Sequence, residues 1–147
     1  MNRMLSLLVL AAVAGPLAAQ DSTRAAAAPA APAAPAASAL SVAVGVVARS
    51  VVDRAPQDTG AAFPADVGGL VCFTQVEGAS ADAPGTIHHV WFHGDAQVAD
   101  VELTARGSPW RTWSRKTVPA DWTGPWHVEI RDAGGAVLKR IDFTIGQ

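Results

Sequence analysis

Four tryptophans fall within "SPWRTWSRKTVPADWTGPW" (108–126): Trp110, Trp113, Trp122 and Trp126, interleaved with Arg111, Arg115 and Lys116. Indoles offer flat apolar faces that stack on other rings. Guanidiniums grip carboxylate or phosphate groups through paired hydrogen bonds. Tryptophan and arginine are also enriched where proteins bind proteins. The competing use of so many indoles is core packing, and strand phase separates the two. A strand through "WRTWSRKTV" turns Trp110, Thr112 and Ser114 one way and Arg111, Trp113 and Arg115 the other. Trp126 is in phase with Val128 and Ile130, and Trp91 with Ile87, so both are expected in the core. Trp110 follows Pro109 at a strand entry and Trp122 lies in a turn, where an indole can close one end of a fold. The candidate contact group is therefore Trp113 with Arg111, Arg115 and Lys116.

Other chemistry finds less support. "HHVWFH" brings His88, His89 and His93 together, which invites a metal. In a strand, however, His88 and His89 point to opposite faces, and His89 and His93 stand about 13 Å apart. A site would need ligands from other strands, for instance His127 with Asp100 or Asp142, so no metal is expected. His89 is expected on a polar face or hydrogen-bonded at the sheet margin. Ser108, Ser114, His127 and Asp121 have the residue types of a hydrolase, but none lies in a nucleophile motif. No carboxylate pair is marked out for glycoside hydrolysis. No glycine-rich phosphate loop precedes a helix. With 11 Lys and Arg against 13 Asp and Glu, net charge −2, there is no footprint for nucleic acid. The expectation is a protein with no catalytic residues and no cofactor.

These side chains must be positioned by strands. "LSVAVGVVARSVVD" is valine-rich, with Val42, Val44 and Val46 spaced to share a face. "RAPQDTGAAFPADVGG" reads as a loop or edge crossing. "LVCFTQVEG" is a second strand. Its Cys72 is the only cysteine, so no internal disulfide can form; a buried thiol is expected rather than an intermolecular bridge. "TIHHVWFHGDAQVADVELTA" is a hairpin about Gly94-Asp95, with Val101 and Leu103 on one face. In "GPWHVEIRDAGGAVLKRIDFTIG", alternating apolar residues flank "DAGG", a turn tolerant of positive φ. About seven short strands and no helix predict an all-β antiparallel sandwich.

The N-terminal part has another character. Residues 1–19, a positive start followed by "MLSLLVLAAVA" and small residues, read as a secretory signal peptide. The apolar run is shorter than the about 20 residues a membrane span requires, so membrane contact is expected only if that signal stays uncleaved. Residues 20–39, almost all Ala and Pro, read as a disordered linker. Residues 40–147 form the folded domain. Export, periplasmic or extracellular, follows from the signal.

Over most of the folded part, the chain resembles the bacterial family known as domain of unknown function 2914. The resemblance is carried by a Trp strand before a Gly-Asp turn, by "WRTWSRK", and by the closing "GPWHVEIRDAGGAVL" with "FTI". It implies an immunoglobulin-like sandwich on exported or membrane-attached proteins. It brings no activity, ligand or catalytic residue with it. The resulting expectation is a non-catalytic accessory or binding module of the cell envelope, in contact with an envelope protein or cell-wall glycan. The alternatives are a ligand-free structural spacer and, after it, a small hydrolase or metal-binding protein.

Overall fold

The structure, a computed structural model, describes residues 38–146. The signal-peptide and linker readings (1–19 and 20–39) fall outside these residues except at Ser38 and Ala39. The described chain contains nine strands: β1 (Ser41–Val52), β2 (Ala55–Thr59), β3 (Ala62–Phe63), β4 (Gly69–Glu77), β5 (Gly85–His93), β6 (Ala96–Ala105), β7 (Trp110–Thr117), β8 (Gly124–Asp132) and β9 (Val137–Ile145). They form two sheets, ordered β2-β1-β4-β7 and β3-β9-β8-β5-β6. Every pairing is antiparallel except the two-residue parallel contact of β3 with β9. The all-β sandwich expected from the sequence is present, with nine strands rather than about seven. The additional two, β2 and β3, lie in the Pro- and Gly-rich stretch expected to be a loop or edge crossing, and both stand at sheet edges.

The sheets pack through the faces that alternation selects. Leu70, Cys72 and Val76 of β4 and Val47 of β1 meet Ile87 and Trp91 of β5, Trp126, Val128 and Ile130 of β8, and Phe143 and Ile145 of β9, all buried. Trp91 and Phe143 meet edge to face, their rings 6.4 Å apart, and Phe63 meets Phe143 likewise at 6.0 Å. Fully buried aromatics of this kind typically cost roughly 3–5 kcal/mol when truncated to alanine. Trp110 and Trp122 are half-buried against the same cluster, consistent with residues that close its ends.

Strand β1 departs from simple alternation. Its pairing with β4 shifts between Val42 and Val44, and one extra residue reverses the phase of everything after it. Val42 packs on the core, whereas Val46 pairs with Phe73 on the opposite face and Val44 is exposed. The expectation that Val42, Val44 and Val46 share one face is corrected by this bulge. Beyond it the inward position falls to Gly45, where an added Cβ would stand 3.3 Å from Ile130 Cδ1 and from Ile141 Cδ1. Glycine lets the two sheets approach there.

Candidate functional site

On the outer face of the four-stranded sheet, alternation places three side chains of β7 in a row: Arg111, Trp113 and Arg115, all exposed. Their partners across β4 are Gln75, Phe73 and Val71. The Trp113 indole is 40% exposed and lies nearly parallel to the Phe73 ring, centroids 6.4 Å apart at 14°. Val46 stands beside Phe73 on β1, with exposed Val44 two residues before it. Arg111 donates from Nε to Gln75 Oε1 at 3.4 Å, a long bond. Among the described residues neither Arg111 nor Arg115 pairs with a carboxylate. Phe73 and Val71 are themselves buried, so the apolar groups this face exposes are Trp113 and Val44, with two uncompensated cations at the β7 side.

Lys116, the fourth residue of the predicted group, is not part of this row. Its position puts it on the other side of β7. Its ammonium donates to Thr117 O at 2.9 Å and sits 5.5 Å from the Trp122 ring. Trp122 in turn stacks on His93 (5.5 Å, 10°), and His93 stacks on Trp126 (4.8 Å). Trp126 donates its indole N–H to Trp122 O at 3.0 Å. Lys116, Trp122 and Trp126 therefore belong to the closure of one end of the sandwich. Of the seven aromatic and cationic residues in the 108–126 stretch, the structure brings together Trp113, Arg111 and Arg115 at the outer face.

Between the sheets lies a polar cluster that joins β4, β5 and β7. His89 is fully buried; the expectation of a polar face or a sheet margin is corrected. Its Nδ1 is 2.9 Å from Ser114 Oγ, and its Nε2 is 3.2 Å from Thr74 Oγ1. Trp91 donates its indole N–H to Ser114 Oγ at 3.1 Å, and Thr74 Oγ1 donates to Thr112 O at 3.3 Å. Donor counting then fixes every proton. The Ser114 hydroxyl accepts from Trp91 and donates to Nδ1. His89 carries its proton on Nε2 and donates to Thr74, which donates to Thr112 O. The imidazole is neutral, and burial pushes its pKa down to about 4. The signal was present in the sequence: His89 is in phase with Ile87 and Trp91. Its partners, 15 and 25 residues away in the chain, carry no local mark.

Chemically, Ser114 and His89 stand at the distance of a nucleophile and its base. Both are buried, however, the hydroxyl is already engaged by Trp91, and the far nitrogen meets a threonine rather than a carboxylate. The other residues of hydrolase type are dispersed. Ser108 accepts from the Gly78 amide at 3.1 Å, and Asp121 sits in the turn before β8.

The outer face of the five-stranded sheet is a charge lattice. Glu129 accepts from Arg131 Nε at 2.8 Å and is within 4.0 Å of Arg140 and His127. Arg140 donates to Asp142, and that bond holds the Asp142 carboxyl below its ordinary range. His88 Nδ1 lies 2.9 Å from Asp100. His127 stacks on Phe92 at 4.4 Å, and desolvation followed by the Arg140 charge lowers its pKa. Among the described residues, no three His, Cys, Asp or Glu side chains are grouped to hold a cation, and no helix is long and apolar enough to cross a membrane.

A solved structure described as the crystal structure of endonuclease/exonuclease/phosphatase from Beutenbergia cavernae DSM 12333 aligns at 15% identity with a TM-score of 0.29, covering 72% of this chain and 35% of that one. The chain thus spans about a third of that protein's length, and the likeness carries no argument. No curated protein matches the chain. Residues 84–145, which hold β5 to β9, match the model of the family described as "Protein of unknown function (DUF2914)", in agreement with the resemblance carried by the tryptophan strand, "WRTWSRK" and the closing hairpin.

Proposed function

We propose that the protein is an exported, non-catalytic accessory or binding module of the cell envelope. Its contact face is the outer face of the four-stranded sheet, centred on Trp113 between Arg111 and Arg115. The observation that carries this reading is the exposed indole. The other tryptophans are buried or half-buried against the core, while Trp113 lies open over the buried Phe73 ring and near exposed Val44, with two arginines lacking carboxylate partners among the described residues. An apolar patch rimmed by polar groups is the usual mark of a contact surface, and aromatic and arginine side chains are its usual anchors. A non-catalytic role is favoured because the best-placed nucleophile and base, Ser114 and His89, are buried inside the sandwich. Export is favoured by the composition of residues 1–19.

The test is binding of the full chain to purified cell-wall glycan and to envelope proteins, compared with Trp113→Ala combined with Arg115→Ala. Both side chains are exposed, so the variant keeps its fold by circular dichroism. Affinity is expected to fall at least about tenfold, the scale of losing one good anchor. Unchanged binding to both materials refutes the contact face. No binding by either protein overturns the binding role and leaves the structural spacer reading.

A further inference from the structure

The strand that carries the contact residues is also the open edge of its sheet, and this combination specifies a kind of ligand. β7 pairs with β4 on one side and ends the order β2-β1-β4-β7. Its register runs without interruption from Gly69↔Thr117 to Val76↔Trp110. Just beyond, the Val118 amide donates to Gly68 O at 3.2 Å, which makes 118 and 68 a hydrogen-bonded pair. In an antiparallel ladder such pairs alternate with non-bonded ones. The residues of β7 bonded to β4 are therefore 116, 114, 112 and 110. The Thr74 hydroxyl contact to Thr112 O agrees with that phase. It follows that the N–H and C=O groups of Arg111, Trp113 and Arg115 point away from β4, along the open edge. Among the described residues none of them has a backbone partner outside the ladder.

We propose that this edge binds an extended acidic peptide segment, which adds to the sheet as a fifth strand. The proposal rests on the contact-face reading above and names its ligand. An added strand would complete the ladder through the three free residues. One face of its side chains would then stand beside Arg111, Trp113 and Arg115, at the separation of about 5 Å typical of cross-strand neighbours. Opposite charges are favoured at such positions. The matching segment reads acid, any residue, apolar, any residue, acid, and this pattern is the same in either chain direction. The same register argues against a second copy of this chain. Two β7 strands paired antiparallel about Trp113 would set Arg111 opposite Arg115 of the copy at both ends, and like charges directly opposed are destabilising. The arginines thus guard the edge against itself while leaving it complementary to an acidic strand.

The experiment titrates the full chain with a short synthetic peptide containing Glu-Thr-Val-Thr-Glu. The comparison peptides have Lys in place of Glu, or N-methyl groups on the residues whose amides would enter the ladder. Amide hydrogen exchange at Arg111, Trp113 and Arg115 is read by NMR. The expected result is saturable binding of the acidic peptide, slowing exchange at these three amides at least about tenfold. Binding should be weaker by at least about tenfold for the Lys peptide, and lost on N-methylation. Arg111→Glu combined with Arg115→Glu should reverse the preference in favour of the Lys peptide. No saturable binding up to about 1 mM, binding that survives N-methylation, or unchanged exchange at the three amides overturns strand addition. If cell-wall glycan binding falls with Trp113→Ala while the acidic peptide does not bind, the contact face stands and the peptide ligand is refuted. If Trp113→Ala changes neither, both readings fall.

Discussion

Lowering the pH from about 7 to about 5 sets the buried imidazole of His89 against its surroundings. The groups facing it are the Thr74 and Ser114 hydroxyls and the Trp91 indole, with Cys72 paired to Ser114 across β4 and β7; none of these carries a charge. Desolvation alone lowers its pKa from 6.5 to about 4. The unfolded chain takes up a proton near 6.5 and the folded chain only near 4, so between those values the unfolded state binds more protons. Stability is therefore complete above pH 6.5 and is lost as the pH falls toward 4. At about 1.4 kcal/mol per pKa unit the whole effect is roughly 3 kcal/mol, of which about 2 is gone by pH 5. For a domain stabilised by about 5–15 kcal/mol this is a substantial share. Protonation also breaks the donor chain. With both ring nitrogens donating, Ser114 Oγ would receive two N–H groups and its own proton would lose its acceptor.

The assay is urea unfolding followed by tryptophan fluorescence at several pH values, for the wild type and His89→Gln. The variant is expected to be less stable at neutral pH but to lose about 2 kcal/mol less between pH 7 and 5. His127→Gln serves as control, because the lowered pKa of His127 acts in the same direction. Should His89→Gln prove too unstable, the wild-type imidazole Cε1–H resonance gives the answer directly: it should not titrate above about pH 5. Equal acid destabilisation in wild type and variant, or a resonance that titrates near 6.5, refutes the reasoning.

Ser114→Ala leaves the Trp91 N–H and His89 Nδ1 unpaired in the core and should destabilise by roughly 2–4 kcal/mol, measured by the same unfolding curves, with Ser114→Thr less damaging than Ser114→Ala. Gly78→Ala should cost at least about 2 kcal/mol, because Gly78 holds a φ of +94° and an added Cβ would collide with the Ala39 carbonyl oxygen; a thermal midpoint equal to wild type would contradict this. Cys72 is fully buried and burial raises its thiol pKa, so a thiol reagent such as Ellman's should react only on unfolding, and rapid stoichiometric labelling of the native protein would show otherwise.

The sequence revealed what depends on neighbours two residues away. Alternation identified Trp91 and Trp126 as core, and the opposed faces of Trp113 and Ser114, because a strand's period converts type into direction. It failed where direction depends on the partner strand. The bulge after Val42 exists only in the pairing with β4, so nothing in "SVAVGVV" announces that Val44 and Val46 turn outward. β2 and β3 escaped for a similar reason. "APQDT" has no apolar alternation and becomes a strand by pairing with β1, and β3 is two residues against β9. Proximity in sequence groups Lys116 with Trp113, against the parity that also sends Ser114 inward. The His89 cluster joins three strands across both sheets, so its type was legible but its partners were not.

These features meet in one strand. β7 is at once a wall of the core, a surface and an edge, and its period assigns the roles to different residues. Inward, Ser114 holds the hydroxyl that both Trp91 and His89 contact, and Trp110 and Lys116 close the two ends. Outward, Arg111, Trp113 and Arg115 supply the exposed side chains, and the ladder phase gives the free backbone groups to these same three residues. Position parity on β7 thus separates core packing from the proposed contact face. An inward change reaches the polar cluster or the core, while an outward one meets mainly solvent and Phe73. The residues that offer side-chain contact are also those whose main chain is open, so a ligand that lies along the strand can use both at once, whereas one that only touches the face leaves the ladder unfilled. This difference makes an extended segment the better fit to β7 than a ligand that only stacks on Trp113.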